Sequence, residues 1–310
     1  MNTIRAVVVD PQVEGRLKID AVEAPRPALS QALVRVAAVS LNLGEVRAAG
    51  RAEAGWRPGW DLSGVVAQAA ADGSGPQAGT RVFGMVPSGS WAEVAAVPTA
   101  LLAEIPDRVT FAQAATLPVA GLTALYGMEK GGFLLGRKVL VTGASGGVGH
   151  FACQLARQAG AYVTALVCRE ERAASLRETG IENVVAGEDA AAAQSSGPFD
   201  FIVDTLGGEA LAAVTKYLEP DGRCVNLGAA TQPDMTLQAR LASIPEGVLV
   251  LEGMERQTGI AKNLGRLAAM VAEGRLHPPI DRESSWTEIA EVAQSLLNRG
   301  IAGKAVLMIS

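Results

Sequence analysis

The run Val139-Leu-Val-Thr-Gly143-Ala-Ser145-Gly146-Gly147-Val148-Gly149 passes without a spare residue into His150-Phe-Ala-Cys-Gln-Leu-Ala-Arg. An apolar strand, a glycine turn and a helix therefore follow one another directly. Glycines allow a tight turn and let backbone N–H groups approach whatever occupies it. The helix behind the turn directs the positive end of its dipole at the same point. Around this motif apolar strands alternate with Ala-rich helices: strand 138–142, helix 150–158, strand 162–168, helix 171–178, strand 201–205, helix 210–218 and strand 222–227. Such alternation predicts a parallel sheet with crossover helices, the α/β class.

The flanking sequence has a different character. Residues 1–100 read as short strands bounded by Gly and Pro, at 4–9, 32–39, 61–68, 80–86 and 91–97, which suits a small barrel or sandwich. Helices at 112–115 and 121–128 lead into the parallel sheet. After it come a helix at 259–273, a Pro-rich turn at 277–279, a helix at 287–299 and a last strand at 304–309. The alanine run 190–193 reads as a helix or loop edge. At 310 residues the chain exceeds the usual single core, so two domains are expected.

Composition narrows the function classes. With 49% hydrophobic and 19% charged residues the chain is not disordered. No stretch approaches the roughly 18 apolar residues of a membrane helix. A net charge of −5 argues against nucleic acid as a partner. The start MNTIRAVVVDP lacks the basic and apolar regions of a signal peptide, and the odd set Cys153, Cys168 and Cys224 is no disulfide framework, so a cytoplasmic location is expected. Three cysteines and two histidines, with no CxxC or HxxxH, leave no zinc site to expect unless carboxylates complete one.

The glycine turn reads as a cradle for the pyrophosphate of a dinucleotide. Short-chain dehydrogenases share its TGxxxGxG pattern, and Tyr126 and Lys130 give a YxxxK pair, but there the turn lies near the N-terminus and the pair follows it, opposite to this chain. Methyltransferases use a comparable turn but usually place an acidic residue at the end of the second strand. Here that strand ends at Cys168, 19 residues past Gly149, followed by Arg169 and, one turn on, Arg172. An acidic residue there would bind a ribose 2′-hydroxyl. Two guanidinium groups instead favour a 2′-phosphate, hence NADP(H). The plain alternative is that both arginines solvate a helix start beside Glu170 and Glu171.

The whole chain resembles the medium-chain dehydrogenase/reductase superfamily, and within it the zinc-independent quinone oxidoreductase and enoyl reductase branch that includes zeta-crystallin. The matching blocks are Val34–Asn42, Gly59-Trp60-Asp61 with Gly64, Gly79–Gly84, Gly89–Glu93, Ala114–Ala124, the glycine turn, Val203–Gly208 and Gly303–Leu307. The resemblance implies a GroES-like β-rich domain, residues 1–119 together with 255–310, and a Rossmann doubly wound parallel sheet, residues 120–254. Zinc-dependent relatives carry GHE where this chain has Gly59-Trp60-Asp61, a ligand cysteine near Leu43 or Gly44, and a four-cysteine lobe around 85–100. None of these ligands is present.

The implied reaction is transfer of hydride from NADPH to a small apolar electrophile, a quinone or an α,β-unsaturated carbonyl. The implied catalytic candidates are Asn42, Thr123 and Tyr126, with Tyr126 the preferred donor. Tyr126 equally suits plain helix packing, and Asn42 equally suits capping a turn before Gly44. The cofactor set is Gly143, Ser145, Gly146, Gly147, Val148, Gly149, Cys168, Arg169, Arg172, Leu206, Leu227, Gly228 and Arg299; for Arg299 the alternative is a solvated helix end. His150 is read as shaping the turn and His277 as a surface residue. A homodimer is expected through 247–252. Pocket shape would come from loops around 44–58, 88–91 and 229–245. Two tyrosines of quinone reductases are missing, with Arg47 or Ala48 and Gly187 in their neighbourhoods. A weakly or non-catalytic NADP-binding protein of the same fold therefore stands as the rival reading.

Overall fold

The computed structural model describes residues 3–228, 230, 248–250 and 259–310. The chain forms two compact units, Met1–Leu122 with Gln257–Ser310, and Thr123–Arg256.

In the first unit β1 (Thr3–Val9) and β2 (Leu17–Glu23) pair antiparallel. A second sheet is built from β3 (Gln31–Ser40), β4 (Asp61–Gln68), β5 (Arg81–Met85), β6 (Val94–Pro98) and β7 (Leu102–Glu104). Helices α1 (Leu43–Arg51) and α2 (Phe111–Ala115) belong to the same unit, and α3 (Leu122–Glu129) opens the second.

The second unit holds β8 (Lys138–Thr142), α4 (Gly147–Gln158), β9 (Tyr162–Val167), α5 (Ala174–Glu178), β10 (Asn183–Ala186), β11 (Phe199–Asp204), α6 (Gly208–Val214), β12 (Leu218–Asn226) and β13 (Val248–Val250). The chain then returns to the first unit with α7 (Ile260–Ala272), β14 (Ile280–Ser285), α8 (Ile289–Leu297) and β15 (Lys304–Met308).

Among the described residues the first unit's large sheet runs β14-β15-β3-β4-β5-β7, with β6 also on β3. Its core forms because β3 alternates: Ala32, Val34 and Val36 point inward against Leu62, Val66, Val82 and Val97, with Trp91 and Trp286 filling the interior. β15 pairs antiparallel with β3, Val306 opposite Ser40, so a strand that follows the second unit in the chain completes a sheet begun before it.

The second unit's sheet runs β10-β9-β8-β11-β12-β13 with every pair parallel. This is the doubly wound order 3-2-1-4-5-6. Its central strands are buried on both faces, so Val139, Leu140, Val141 and Phe201, Ile202, Val203 read as unbroken apolar runs.

The expected loop from 44 is in its first half a helix, α1. Asn42 and Glu45 form a capping box, Asn42 N donating to Glu45 Oε1 at 2.6 Å, and Glu45, Val46 and Ala49 turn inward. Residues 88–91 do lie outside helices and strands. The alanine run lies in a 3-10 helix, Ala190–Ser196, capped by Asp189. Of the expected dimer segment, Val248–Val250 is the edge strand β13; Gly247, Leu251 and Glu252 lie outside the described residues, as does the 229–245 loop apart from Ala230.

Candidate active site

In the second unit the strand order reverses between β8 and β11, which opens a crevice at the carboxyl ends of those strands. The glycine turn sits there. Gly143 has φ +59°, and a Cβ on it would lie 2.3 Å from Thr205 Oγ1. A Cβ on Gly149 would lie 2.4 Å from the carbonyl oxygen of Gly143, so the first turn of α4 rests on the backbone of the turn itself. α4 is capped by Gly146, which has no side chain to offer, so the N–H groups of Gly147, Val148 and Gly149 face the turn without a capping side chain. Ser145 is buried beside them. His150 Nδ1 lies 3.0 Å from Gln154 Nε2, one helical turn along. The cradle fits a pyrophosphate: it supplies uncapped donors at a positive helix end, and side chains would fill it.

A buried polar latch fixes the crevice. Asp204, at the end of β11, accepts from Thr142 Oγ1 (2.6 Å), Gly207 N (2.8 Å) and Asn226 Nδ2 (2.6 Å), and so ties β8, β11 and β12 together. Burial pushes its carboxyl above the ordinary range, and these donors pull the other way. Thr205 Oγ1 donates to the carbonyl of Thr142 at 2.9 Å. Leu227 N donates to the Asp204 carbonyl at 2.7 Å, and the Gly228 carbonyl accepts from Asn226 Nδ2 at 2.7 Å. A Cβ on Gly143 would also meet Leu206, and one on Gly127 of α3 would meet Leu227 at 2.5 Å. Gly143, Leu206, Leu227 and Gly228 are thus brought together. α3 also carries Thr123, half-buried, and Tyr126, 4% exposed, one turn apart.

At the end of β9, Cys168 is an exposed free thiol and Arg169 precedes the short 3-10 turn Glu170–Arg172. Glu170 does not balance Arg169; its Oε1 takes Arg177 at 2.6 Å. Arg299 stands in the first unit, exposed, at φ +57° just beyond α8. Its N–H donates to Leu296 O (3.1 Å) while Gly300 N–H donates to Ser295 O (2.8 Å), the bonding of a Schellman cap.

Asn42 belongs to a cluster in the first unit that sequence reasoning did not assemble. Its Nδ2 donates to Asp61 Oδ2 (2.8 Å) and Glu45 Oε1 (3.0 Å), and its Oδ1 accepts from Lys304 Nζ (2.6 Å). Both amide ends are therefore engaged. Lys304 also donates to Leu41 O (2.7 Å) and lies 3.6 Å from Asp61 Oδ2. Asp61 Oδ1 accepts from Val119 N (2.9 Å), and Glu45 Oε2 from Trp60 N (2.6 Å). Asp61 and Glu45 are 0% exposed and Lys304 is 3% exposed. The sequence signals were present, Asn42-x-x-Glu45 and Gly303-Lys304, but nothing in them showed that the charges meet.

Burial, and then the charge of Asp61, push Glu45 up from 4.5 to about 8. Between those values the folded chain keeps a proton that the unfolded chain has lost, so this contribution to stability is complete below 4.5 and drains away as pH rises to about 8. The urea midpoint of the protein is expected to fall across that window. Glu45→Gln, which cannot ionise, should flatten that part of the slope; an unchanged slope would place the titration elsewhere.

Among the described residues no group of three His, Cys, Asp or Glu side chains is arranged to hold a metal ion. The Trp60 indole packs on α1, where a Cβ on Gly44 would meet its ring at 2.9 Å. No described helix is long and apolar enough to cross a membrane.

Comparison with known proteins agrees with this architecture. The alcohol dehydrogenase GroES-like domain family matches residues 29–107, and the zinc-binding dehydrogenase family matches residues 147–265. Over 295 residues the chain is 36% identical to the spectinabilin polyketide synthase system protein NorB of Streptomyces orinoci, which takes in 92% of this chain and 13% of NorB. It is 32% identical over 263 residues to the 2-methylene-furan-3-one reductase of Solanum lycopersicum, 81% of this chain and 63% of that protein. The chain thus spans less than two thirds of either relative. The quinone oxidoreductase structure from Coxiella burnetii superposes with a TM-score of 0.87 at 25% identity, covering 100% of both chains. The chain belongs to the medium-chain dehydrogenase/reductase superfamily, in which it is similar to quinone oxidoreductases and enone reductases.

Proposed function

We propose that the chain is an NADPH-dependent reductase of quinones or α,β-unsaturated carbonyls. The observation that carries this reading is the glycine cradle at the switch point of the parallel sheet, with Arg169 rather than a carboxylate at the end of β9. The uncapped N–H groups of α4 would hold the pyrophosphate, and Arg169 and Arg172 the 2′-phosphate. Leu206, Leu227 and Gly228 would flank the nicotinamide end. When bound, the reduced nicotinamide supplies hydride. Tyr126 and Thr123, both on α3, would donate a hydrogen bond to the oxygen that gains charge. The reading of the substrate draws on the names of the relatives, a quinone and a methylene-ketone, which share a conjugated electrophilic carbonyl.

The test is NADPH oxidation, followed at the nicotinamide absorbance band against a panel of quinones and enones. Tight NADPH binding with no oxidation by any member would replace the reductase by a nucleotide-binding protein. The double substitution Arg169→Ala with Arg172→Ala is expected to weaken NADPH by roughly 10- to 100-fold, because charge-assisted bonds to the 2′-phosphate are lost, while NADH changes little. Equal loss for both nucleotides, or none for either, would overturn the 2′-phosphate assignment.

A further inference from the structure

Asn226 ends β12 and is 2% exposed, so it can act on a ligand only through its neighbours. Its Nδ2 donates to Asp204 Oδ2 (2.6 Å) and to the Gly228 carbonyl (2.7 Å), which engages both amide hydrogens. A carbonyl can only accept, and an ionised carboxylate likewise, so turning the amide over would set oxygen against oxygen. The orientation is therefore fixed, and it leaves Oδ1 buried with no donor. An unmatched buried acceptor costs stability. The fold tolerates it alongside the two bonds that Nδ2 makes.

Those two bonds join the turns that leave β11 and β12. Asp204 Oδ2, the atom that Asn226 holds, also accepts from Gly207 N (2.8 Å), the residue at φ +72° that precedes α6. Gly207 N, the Asp204 carboxylate, the Asn226 amide and the Gly228 carbonyl thus form one continuous chain of hydrogen bonds. Around it the turns lie backbone against backbone. Leu227 N–H donates to Asp204 O (2.7 Å), and a Cβ on Gly228 would lie 2.8 Å from Thr205 O. Thr205 in turn touches the glycine cradle, since a Cβ on Gly143 would lie 2.3 Å from its Oγ1. All of these residues belong to the second unit. A site that is held this closely depends on the buried residues behind it.

We infer that Asn226 is a positioning residue for the nicotinamide half of the nucleotide: through Gly228 and Asp204 it sets the spacing of the two turns, 205–207 and 227–228, that flank this half. The inference rests on the reductase reading, in which Leu206, Leu227 and Gly228 lie at the nicotinamide end, and extends it to a residue that touches no part of the cofactor. In that reading the pyrophosphate is held by the N–H groups of α4, and both Nδ2 bonds of Asn226 go elsewhere.

The test is calorimetric binding of two ligands, NADPH and 2′-phospho-ADP-ribose, which carries the pyrophosphate and the 2′-phosphate but no nicotinamide. Asn226→Leu removes both donated bonds. NADPH affinity is expected to fall about tenfold, the scale of one buried hydrogen bond left unmade, with 2′-phospho-ADP-ribose affinity unchanged. Asn226→Ser keeps one hydroxyl donor for two acceptors and should show a smaller loss with the same selectivity; it carries the test if the leucine variant does not fold. Val214→Ala, a core change at the far end of α6, lowers stability in the same unit and should leave the ratio of the two affinities as it was. Equal loss for both ligands, no loss for NADPH, or the same selectivity in Val214→Ala would overturn the inference. Hydrogen exchange reads the tie with no nucleotide present. Residues 205–207 and 227–228 should exchange faster in Asn226→Leu while 143–149 hold their rate; uniform quickening marks a merely structural residue and defeats the inference. Failure of the unsubstituted protein to bind either ligand would defeat the nucleotide reading itself, an outcome distinct from binding without selectivity.

Discussion

Lys304→Met is expected to destabilise the protein by about 3–5 kcal/mol, the usual cost of removing one member of a buried charge pair. The ammonium lies 3.6 Å from Asp61 Oδ2 and is joined to Glu45 through the Asn42 amide, and all three side chains are buried. Burial pulls Lys304 below its ordinary range and pushes both carboxyls above theirs. The Lys304 and Asp61 charges are each tolerated because of the other. Methionine keeps the stem of the side chain but leaves Asp61 buried without its counter-ion and strips Asn42 Oδ1 and the Leu41 carbonyl of their donor. At the roughly 2–4 °C per kcal/mol of a chain this size, the thermal midpoint should fall by about 6–20 °C. Adding Asp61→Asn should restore part of the loss, because the partner charge goes too. The loss should also shrink in acid, where the carboxyls protonate. A fall of less than about 1 kcal/mol, the scale of an exposed ion pair, would show that water reaches the cluster.

Gly149→Ala is expected to weaken NADPH binding by about 10- to 100-fold, as overpacking of this kind costs roughly 1–3 kcal/mol. The added Cβ would lie 2.4 Å from the Gly143 oxygen and 2.8 Å from Ala144 Cα. Both are backbone atoms, so no rotamer change relieves the clash. Either the turn or α4 must move, and the donors then no longer converge. Titration by nicotinamide fluorescence measures the loss. Gly50→Ala is the control: a Cβ there meets nothing within 4 Å, and alanine suits a helix better. Equal affinity of the two variants for NADPH would remove the turn from the binding site.

The parallel sheet was legible because its strands are buried on both faces and punctuated by glycine, so Val139–Gly149 carries the strand, the turn and the helix start in one line. The strands that escaped notice, β2, β7, β10 and β14, lie at sheet edges, where one side lacks a partner strand and the apolar pattern thins; β14 reads Ile-Asp-Arg-Glu-Ser-Ser. α1 was hidden by its two glycines and short length, although Asn42-x-x-Glu45 is a helix start. Asn42 drew attention as a catalytic candidate or a turn cap, and the structure engages its amide in a cap and a charge cluster at once. The cluster itself was illegible for a simple reason. Glu45 and Lys304 are ordinary surface residue types, and what buries them is a pairing of β15 with β3 that no local pattern announces.

That pairing also sets an order of events during synthesis. The second unit is one unbroken stretch of chain and has all its strands once it leaves the ribosome. The first unit does not. Lys304 lies 263 residues beyond Leu41, whose carbonyl it caps, so until β15 has been made Asp61 lacks this counter-ion and the end of β3, Ala38–Ser40, lacks its partner there. The stretch made before the second unit must therefore wait for the stretch made after it, and the first unit can close only once the second has been synthesised.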